Sequence, residues 1–170
     1  MTTDPWAIRA AAAEREVLVG FLDSQRDAVV RKVDGLGEDE IRFSGVESGT
    51  SLGGIVKHLA DVERWWFHAV FAGRDIAFAW TEDDPDPDWR VETDDTLRGL
   101  LAAYRDAWEE SNRIVAEAGS LDDLSVGSRS GDPEDRVSLR WILVHMIEET
   151  ARHAGHADIL REQLDGATGW

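Results

Sequence analysis

The stretch that most constrains the fold of this chain is residues 141–166, which read WILVHMIEETARHAGHADILREQLDG. An α-helix advances by about 100° per residue, and at that advance Glu149 and His153 lie one turn apart on a single face. Apolar side chains share this face, namely those of Ile142, Met146 and Leu160. Charged side chains occupy a separate face, which carries Arg140, Glu148, Arg152 and Glu162. The pattern predicts a helix that buries Glu149 and His153 although it has a solvent-facing side.

A buried carboxylate requires a partner. Moving an ionised side chain out of water costs on the order of several kcal/mol, so proteins pair it, protonate it or use it to hold a cation. Glu149 beside His153 therefore indicates a metal site on this face of the helix. The alternative is an internal ion pair between the two side chains that fixes the register of the helices.

A second segment, residues 51–73, supplies a third candidate ligand. His58 shares its helical face with apolar residues, which are Ile55, Val62, Trp66 and Ala69. The same count places His68 on the opposite, polar face, which carries Lys57, Asp61 and Arg64. We therefore predict that His58 points inward as a metal ligand and that His68 lies on the surface. The alternative for His58 is a core histidine that bonds to a backbone carbonyl.

Hydrophobic periodicity and capping residues predict four helices. The first begins near Asp4 and Pro5 and ends at Asp34 and Gly35. The other three are predicted over residues 51–72, residues 94–118 after Thr93, and residues 138–164. No β-pattern stands out, so the predicted fold is an all-α four-helix bundle. A length of 170 residues predicts a single domain, residues 1–170.

The predicted connection between the second and third helices, residues 73–92, is too long for a plain bundle turn. It contains Trp80 and Trp89, which favour an ordered segment that drapes over the core. Its acidic run, residues 82–88, lacks the EF-hand pattern for Ca²⁺ and is typical of a solvated loop. We assign that run no function.

Composition excludes several classes of function. The chain has 35 acidic and 18 basic residues and a formal net charge of −17, which disfavours binding to the phosphates of nucleic acid. No apolar run approaches the roughly 18 residues that span a bilayer, and no signal peptide is recognised, so we expect a cytoplasmic protein. The absence of cysteine excludes disulfides, thiolate ligands and a cysteine nucleophile. The sequence also lacks the HExxH, P-loop and dinucleotide-binding signatures.

The second and fourth helices resemble those of the DinB superfamily of small metal-binding helical proteins. The last helix, SLRWILVHMIEETARHAGHADILREQLDG, is similar to R-W-x-x-x-H-x-x-E-E-x-x-R-H-x-G-H-x-D-x-x-R-E, the pattern of a subgroup common in actinobacteria and long known as a domain of unknown function. LGGIVKHLADVERWWF in the second helix is similar to the same subgroup. The resemblance covers most of the chain and implies a DinB-like bundle, often found as a homodimer.

The resemblance also implies a ligand set. Many members of the superfamily bind the ion through three histidines, and this chain departs from them at Glu149. The mycothiol-dependent maleylpyruvate isomerases of the superfamily use His, Glu and His, which correspond to His58, Glu149 and His153 here. For relatives from actinobacteria, the resemblance implies a low-molecular-weight thiol such as mycothiol as co-substrate.

Three protein ligands leave a position open, and two histidines with one glutamate are a known zinc set. Zinc is favoured on this basis, and Ni(II) or Fe(II) is compatible with the same ligands. A thiol at the open position would lose its proton and become the nucleophile. The predicted function is therefore a metal-dependent thiol S-transferase or isomerase that acts on small electrophiles and serves detoxification. Two alternatives are a non-catalytic stress or metabolite-binding protein with a structural ion, and an interaction protein with a polar stripe at a dimer interface.

Three further residues have weaker assignments. His145 is two turns from His153, too far to share an ion, so we expect it in the core or behind a ligand. His156 is expected, in order of preference, to bond to a ligand, to contact substrate or to act as a fourth ligand. Trp66 is a candidate for the pocket wall.

Overall fold

The computed structural model describes residues 12–169, and within that range the chain is helical with no strand. Four long helices follow one another, and we number them α1 to α4. Their bounds are α1 Glu14–Val33, α2 Leu52–Glu63, α3 Leu97–Glu117 and α4 Leu139–Asp165. The predicted all-α four-helix bundle is confirmed. No described helix is both long and apolar enough to cross a membrane.

The second helix does not end where its α-helical part ends. After Glu63 the chain continues without a break into a π-helical segment, Arg64–Phe71, which we call the π segment. Gly73 then ends it with a φ of 68°, a value that favours glycine. The predicted range, residues 51–72, is therefore confirmed as one continuous helical rod, but its last two turns are not α-helical.

Side-chain caps begin three of the helices. Ser51 accepts a hydrogen bond from the backbone N–H of Gly54 at the start of α2, and Ser138 accepts one from Trp141 at the start of α4. These starts agree with the prediction to within one residue. The start of α3 does not, because its cap is Thr96 rather than Thr93. Residues 92–95 instead close a turn, in which the N–H of Asp95 donates to the carbonyl of Glu92.

The first helix is shorter than predicted. Its predicted start at Asp4 and Pro5 lies outside the described residues, but Ala13 is extended, with φ −61° and ψ 147°, and the described helix begins at Glu14. A single helix from Pro5 to Asp34 is therefore wrong. Alanine has the highest helix propensity, but Ala13 is exposed and gains no packing, and packing supplies most of the stability of helices in proteins.

The core has two apolar clusters, one toward each end of the bundle. The first includes Val29, Ile55, Leu59, Tyr104 and Ala157. The second includes Leu22, Phe67, Val115, Ile142 and Leu143. Between the clusters lies a band in which all four helices contribute buried or half-buried polar side chains, namely Arg26, Glu63, Ser111, Asn112, Glu149, Thr150 and His153. α1 packs chiefly on α4 and α2 chiefly on α3, and α2 also meets α4.

Candidate metal centre

Two helices position the three predicted ligands. His58 lies two turns into α2, and Glu149 and His153 lie one turn apart in α4. Both imidazoles direct Nε2 at the same carboxylate oxygen, Oε1 of Glu149, at 3.3 Å for His58 and 3.1 Å for His153. The three ligand atoms all lie within 4.8 Å of one another. Across residues 12–169, this is the group of histidine and acidic side chains whose geometry suits a metal ion.

The cluster is partly closed and carries negative charge. The side chains of His58, Glu149 and His153 are 15%, 20% and 9% exposed. Hydrogen bonds with His153 and His58 hold the pKa of Glu149 well below its usual range, so this carboxylate stays ionised at physiological pH. Burial lowers the pKa of His58, but hydrogen bonds with Glu149 and Asp88 outweigh burial and the net shift is upward. The upward shift of the His58 pKa reflects the two carboxylates that face its ring, Glu149 and Asp88.

The outer side of the His58 ring contacts the connection between α2 and α3. Nδ1 of His58 lies 2.6 Å from Oδ2 of Asp88, and the ring stacks on Trp89 with centroids 4.0 Å apart. Asp88 is buried within a short 3₁₀ turn, Pro87–Trp89. The treatment of residues 82–88 as a wholly solvated loop is therefore wrong at Asp88. The signal that could have found it is Trp89, since a tryptophan that ends an acidic run needs an apolar surface to pack on.

The comparisons with known proteins place this chain in a family. A family model described as mycothiol S-transferase matches residues 17–166. The chain belongs to the mycothiol S-transferase family. The match also supports membership of the DinB superfamily, as the resemblance of the second and fourth helices implied. No curated protein sequence matches this chain.

A solved structure confirms the fold at low sequence identity. The crystal structure of a conserved protein from Enterococcus faecalis matches this chain with a TM-score of 0.66 and a sequence identity of 14%. The similarity covers 92% of this chain and 100% of the other. At this identity the likeness concerns the fold alone.

His156 lies beside His153, one of the three predicted ligands. Its Nδ1 is 3.4 Å from Nδ1 of His153, the ring nitrogen opposite the one that faces Glu149. The side chain of His156 is itself exposed. This position puts the His156 ring next to His153 and not at the shared oxygen of Glu149, and the role of His156 stays a prediction.

His145, which lies one turn before Glu149 on α4, forms an aromatic cluster with Trp141 of the same helix and Trp66 of the π segment. The Trp66 ring meets the edge of His145 with centroids 4.7 Å apart, and His145 stacks on Trp141 at 5.2 Å. His145 is therefore held by aromatic contacts and is not grouped with the three ligand atoms. Trp66 also contacts the Trp141 ring, with centroids 5.2 Å apart.

The prediction that His68 is a surface residue is wrong. His68 is buried, and its Nε2 lies 3.1 Å from the carbonyl oxygen of Ala107 and 3.3 Å from Oγ of Ser111. Burial lowers its pKa. The cause is the π segment, in which hydrogen bonds run from residue i to i+5 and each residue turns through less than 100°. A helical wheel drawn at 100° per residue therefore places the side chains of this segment on the wrong face.

Two pockets adjoin the candidate metal centre. One, of about 230 Å³, is lined by Val46, Ser48, Thr50, His156, Ile159 and Leu160. The other, of about 420 Å³, is lined by Ser48, Gly49, Thr50, Asp86, Trp89 and Arg90. The first includes His156, which contacts His153, and the second includes Trp89, which stacks on His58. Ser48 and Thr50 line both pockets.

Proposed function

We propose that this protein is a divalent-metal-dependent transferase that joins a mycothiol-type thiol to a small electrophile. The observation that carries the proposal is the convergence of Nε2 of His58, Oε1 of Glu149 and Nε2 of His153 within 4.8 Å. Family membership supplies the reaction class. The metal, the electrophile and the three ligand assignments are our proposal.

The donor set fits a catalytic cation. Two imidazole nitrogens and one carboxylate oxygen form a ligand set used by zinc, and three protein ligands leave a position for substrate. We propose zinc, with Ni(II) and Fe(II) as the alternatives that the same donors accept. Glu149 supplies one negative charge, and the two histidines bind as neutral rings, so a bound divalent ion keeps a net positive charge that attracts an anionic sulfur.

A bound divalent cation would stabilise the thiolate form of the thiol, which is the nucleophilic form. The chain contributes no sulfur nucleophile of its own, because it has no cysteine. In the transfer the thiol releases its S–H proton to solvent, its sulfur forms a bond to an electrophilic carbon, and the leaving group departs with the electron pair of the broken carbon–leaving-group bond. The residues of the protein hold the cation, exclude water and bind the two substrates.

The pocket that includes His156 is the proposed site of the electrophile. Its apolar wall, formed by Val46, Ile159 and Leu160, suits a small hydrophobic compound. His156 and Thr50 provide polar atoms at the same pocket, and we propose that His156 contacts the substrate there. Trp66 remains a proposed wall residue through its contact with His145.

Conjugation of an electrophilic bimane to mycothiol tests the proposal. We expect the purified protein to form the conjugate, a chelator to abolish the reaction and zinc to restore it. Glu149→Gln should lower the rate at least about 100-fold, because the open site loses a charged ligand. Glu148→Gln is the matched control, since Glu148 is exposed, adjacent on the same helix and paired with Arg152.

Two outcomes would contradict the proposal. If no thiol is conjugated at any metal loading, the transferase activity fails. If chelation lowers the melting temperature but neither thiol nor electrophile competes for the metal, the ion is structural and the protein is a binding module. Parallel assays with other low-molecular-weight thiols determine whether mycothiol is the preferred one.

The proposal also covers the setting of the enzyme. We propose one metal-binding domain over residues 1–170, a cytoplasmic location and a role in detoxification of electrophiles. We also propose a homodimer, for which the exposed apolar side chains of Trp141 and Val144 on α4 are the candidate contact surface. Sedimentation of the wild type beside Val144→Glu tests the dimer.

A further inference from the structure

A buried carboxylate lies behind His58, on the side away from the converging ligand atoms. Oδ2 of Asp88 is 2.6 Å from Nδ1 of His58, and the Asp88 side chain is 7% exposed. The other acidic residues of the same run are exposed or paired with Arg90, and they are Glu82, Asp83, Asp84 and Asp86. We infer that Asp88 is a positioning residue that orients His58 and strengthens its binding to the cation, an inference that rests on the proposed metal site.

The hydrogen bond determines which nitrogen of His58 faces the site. An ionised carboxylate only accepts hydrogen bonds, so the ring nitrogen beside Asp88 must carry a proton and donate it. A neutral imidazole has one ring proton, and with that proton on Nδ1 the lone pair is on Nε2. Nε2 is the atom that faces Glu149. Asp88 therefore selects the tautomer of His58 that a cation requires.

The ring plane is held as well as the tautomer. Trp89, the next residue, stacks on His58 with an interplanar angle of 20°. Backbone packing holds this turn on α2, because a Cβ on Gly54 would clash with the carbonyl oxygen of Trp89. Lys57 adds a hydrogen bond from Nζ to the carbonyl oxygen of Arg90 at 2.8 Å. The turn that carries Asp88 is thus held against α2 next to His58.

The two histidine ligands differ in what lies behind them. Nδ1 of His153 meets the exposed ring of His156 at 3.4 Å, whereas Nδ1 of His58 meets a buried carboxylate at 2.6 Å. A carboxylate that accepts the outer N–H of a ligand histidine increases the basicity of the ring, and its loss typically weakens metal binding about 10- to 100-fold. Asp88 should therefore affect metal affinity more than His156 does.

Zinc affinity measured by competition with a chromogenic chelator tests this role. We expect Asp88→Ala to weaken zinc binding about 10- to 100-fold. Asp88→Asn should weaken it less, because the amide oxygen still accepts the hydrogen bond although the charge is lost. Asp83→Asn is the matched control, an exposed acidic residue of the same run, and it should leave the affinity unchanged.

A second readout separates positioning from general destabilisation. Nitrogen-15 NMR of the zinc-loaded wild type should show the His58 proton on Nδ1, and Asp88→Ala should shift that resonance while the unfolding transition remains cooperative. Asp88→Asn keeps the test valid if the alanine variant does not fold. Wild-type affinity in both Asp88 variants, or a His58 proton on Nε2, would overturn the inference.

The outcomes for the inference and for the proposed function are distinct. Weaker zinc binding in the Asp88 variants together with no thiol conjugation in the wild type would support the inference and contradict the proposed function. Unchanged zinc affinity in those variants with normal conjugation in the wild type would do the reverse. A wild type that binds no zinc would overturn both.

Discussion

Two polar clusters lie between the apolar clusters of this bundle, and they are built on opposite principles. In the first, Arg26 donates from Nε and Nη2 to the two carboxylate oxygens of Glu63, each at 2.7 Å. Its Nη1 donates to Asp23 and Asn112. Both Arg26 and Glu63 have no exposed side-chain surface. This cluster is closed, because the guanidinium nitrogens and the carboxylate oxygens all have partners inside the protein.

The second cluster, formed by His58, Glu149 and His153, is open. Two imidazoles converge on one oxygen of Glu149, and in the described part of the chain no lysine or arginine pairs with that carboxylate. All three side chains retain some exposure, and His156, which contacts His153, lines a neighbouring pocket. The difference teaches how to separate structure from function in a buried polar layer. A network whose polar atoms are all hydrogen-bonded inside the protein fixes the packing. A network whose metal-binding atoms converge with no lysine or arginine beside them is arranged for a ligand.

Breaking the closed cluster should have the largest effect. Arg26→Ala leaves the Glu63 carboxylate buried and unpaired, and we expect a loss of about 3–5 kcal/mol in the free energy of unfolding. Urea denaturation measures it. The double variant Arg26→Met with Glu63→Leu removes both charges and should be close to the wild type or more stable. A loss below about 1 kcal/mol in Arg26→Ala would show that water reaches Glu63 and that the cluster is not closed.

Removing the charge of the open cluster should affect stability only when metal is present. With zinc at about 100 times its dissociation constant, the wild type gains about 2.7 kcal/mol. Glu149→Gln should lose nearly all of this gain, and in chelator it should fall within about 1 kcal/mol of the wild type, because the pair it breaks is partly exposed. Thermal melts with zinc and with chelator measure both. Equal zinc stabilisation in the variant would contradict the ligand role of Glu149.

His68 sharpens the comparison, since it is a buried polar side chain outside both clusters that contacts the carbonyl oxygen of Ala107 and the hydroxyl of Ser111. Its pKa is lowered by burial, so the unfolded chain binds this proton more readily than the folded protein does. The resulting stability is fully present above the unfolded pKa of about 6.5 and is lost as the pH falls toward the folded pKa. Urea denaturation between pH 7.5 and 5.5 should show a steeper loss in the wild type than in His68→Gln, by at most about 1.4 kcal/mol per pH unit. The same pH dependence of stability in the wild type and in His68→Gln would contradict a lowered pKa for His68.

The smallest effect is expected at Tyr104, which packs near the closed cluster. Its hydroxyl is buried and has no hydrogen-bond partner among the described residues. Tyr104→Phe removes an unsatisfied polar atom and keeps the ring, so we expect the free energy of unfolding to rise by about 1 kcal/mol. Denaturation in urea beside the wild type is the measurement. A lower stability in the variant would show that the hydroxyl has a partner.

The sequence predicted the helices better than it predicted their ends. Apolar spacing identified all four helices, and the predicted starts at residues 51 and 138 fall on the observed caps Ser51 and Ser138, because a serine before a periodic run is a local signal. The start of α3 was wrong, because Thr93 and Thr96 are both acceptable caps and only the turn of residues 92–95 excludes the first. Helix ends depend on such local competition more than helix interiors do.

By itself, the sequence determined the face that α4 presents. The spacing of Glu149 and His153 on a regular α-helix is a local property, so it could be obtained without knowing what packs against that face. The pattern of α2 likewise put His58 inward, and the structure brings the three side chains together.

Only the tertiary structure decided the surroundings of those side chains. His68 is buried because the π segment changes the rotation per residue, and Asp88 reaches His58 because a long connection folds back onto α2. No repeating pattern in the sequence specifies either event. The α-helical period fixes the direction of a side chain, but the partner that it meets depends on the path of the chain elsewhere, and that path is set by packing.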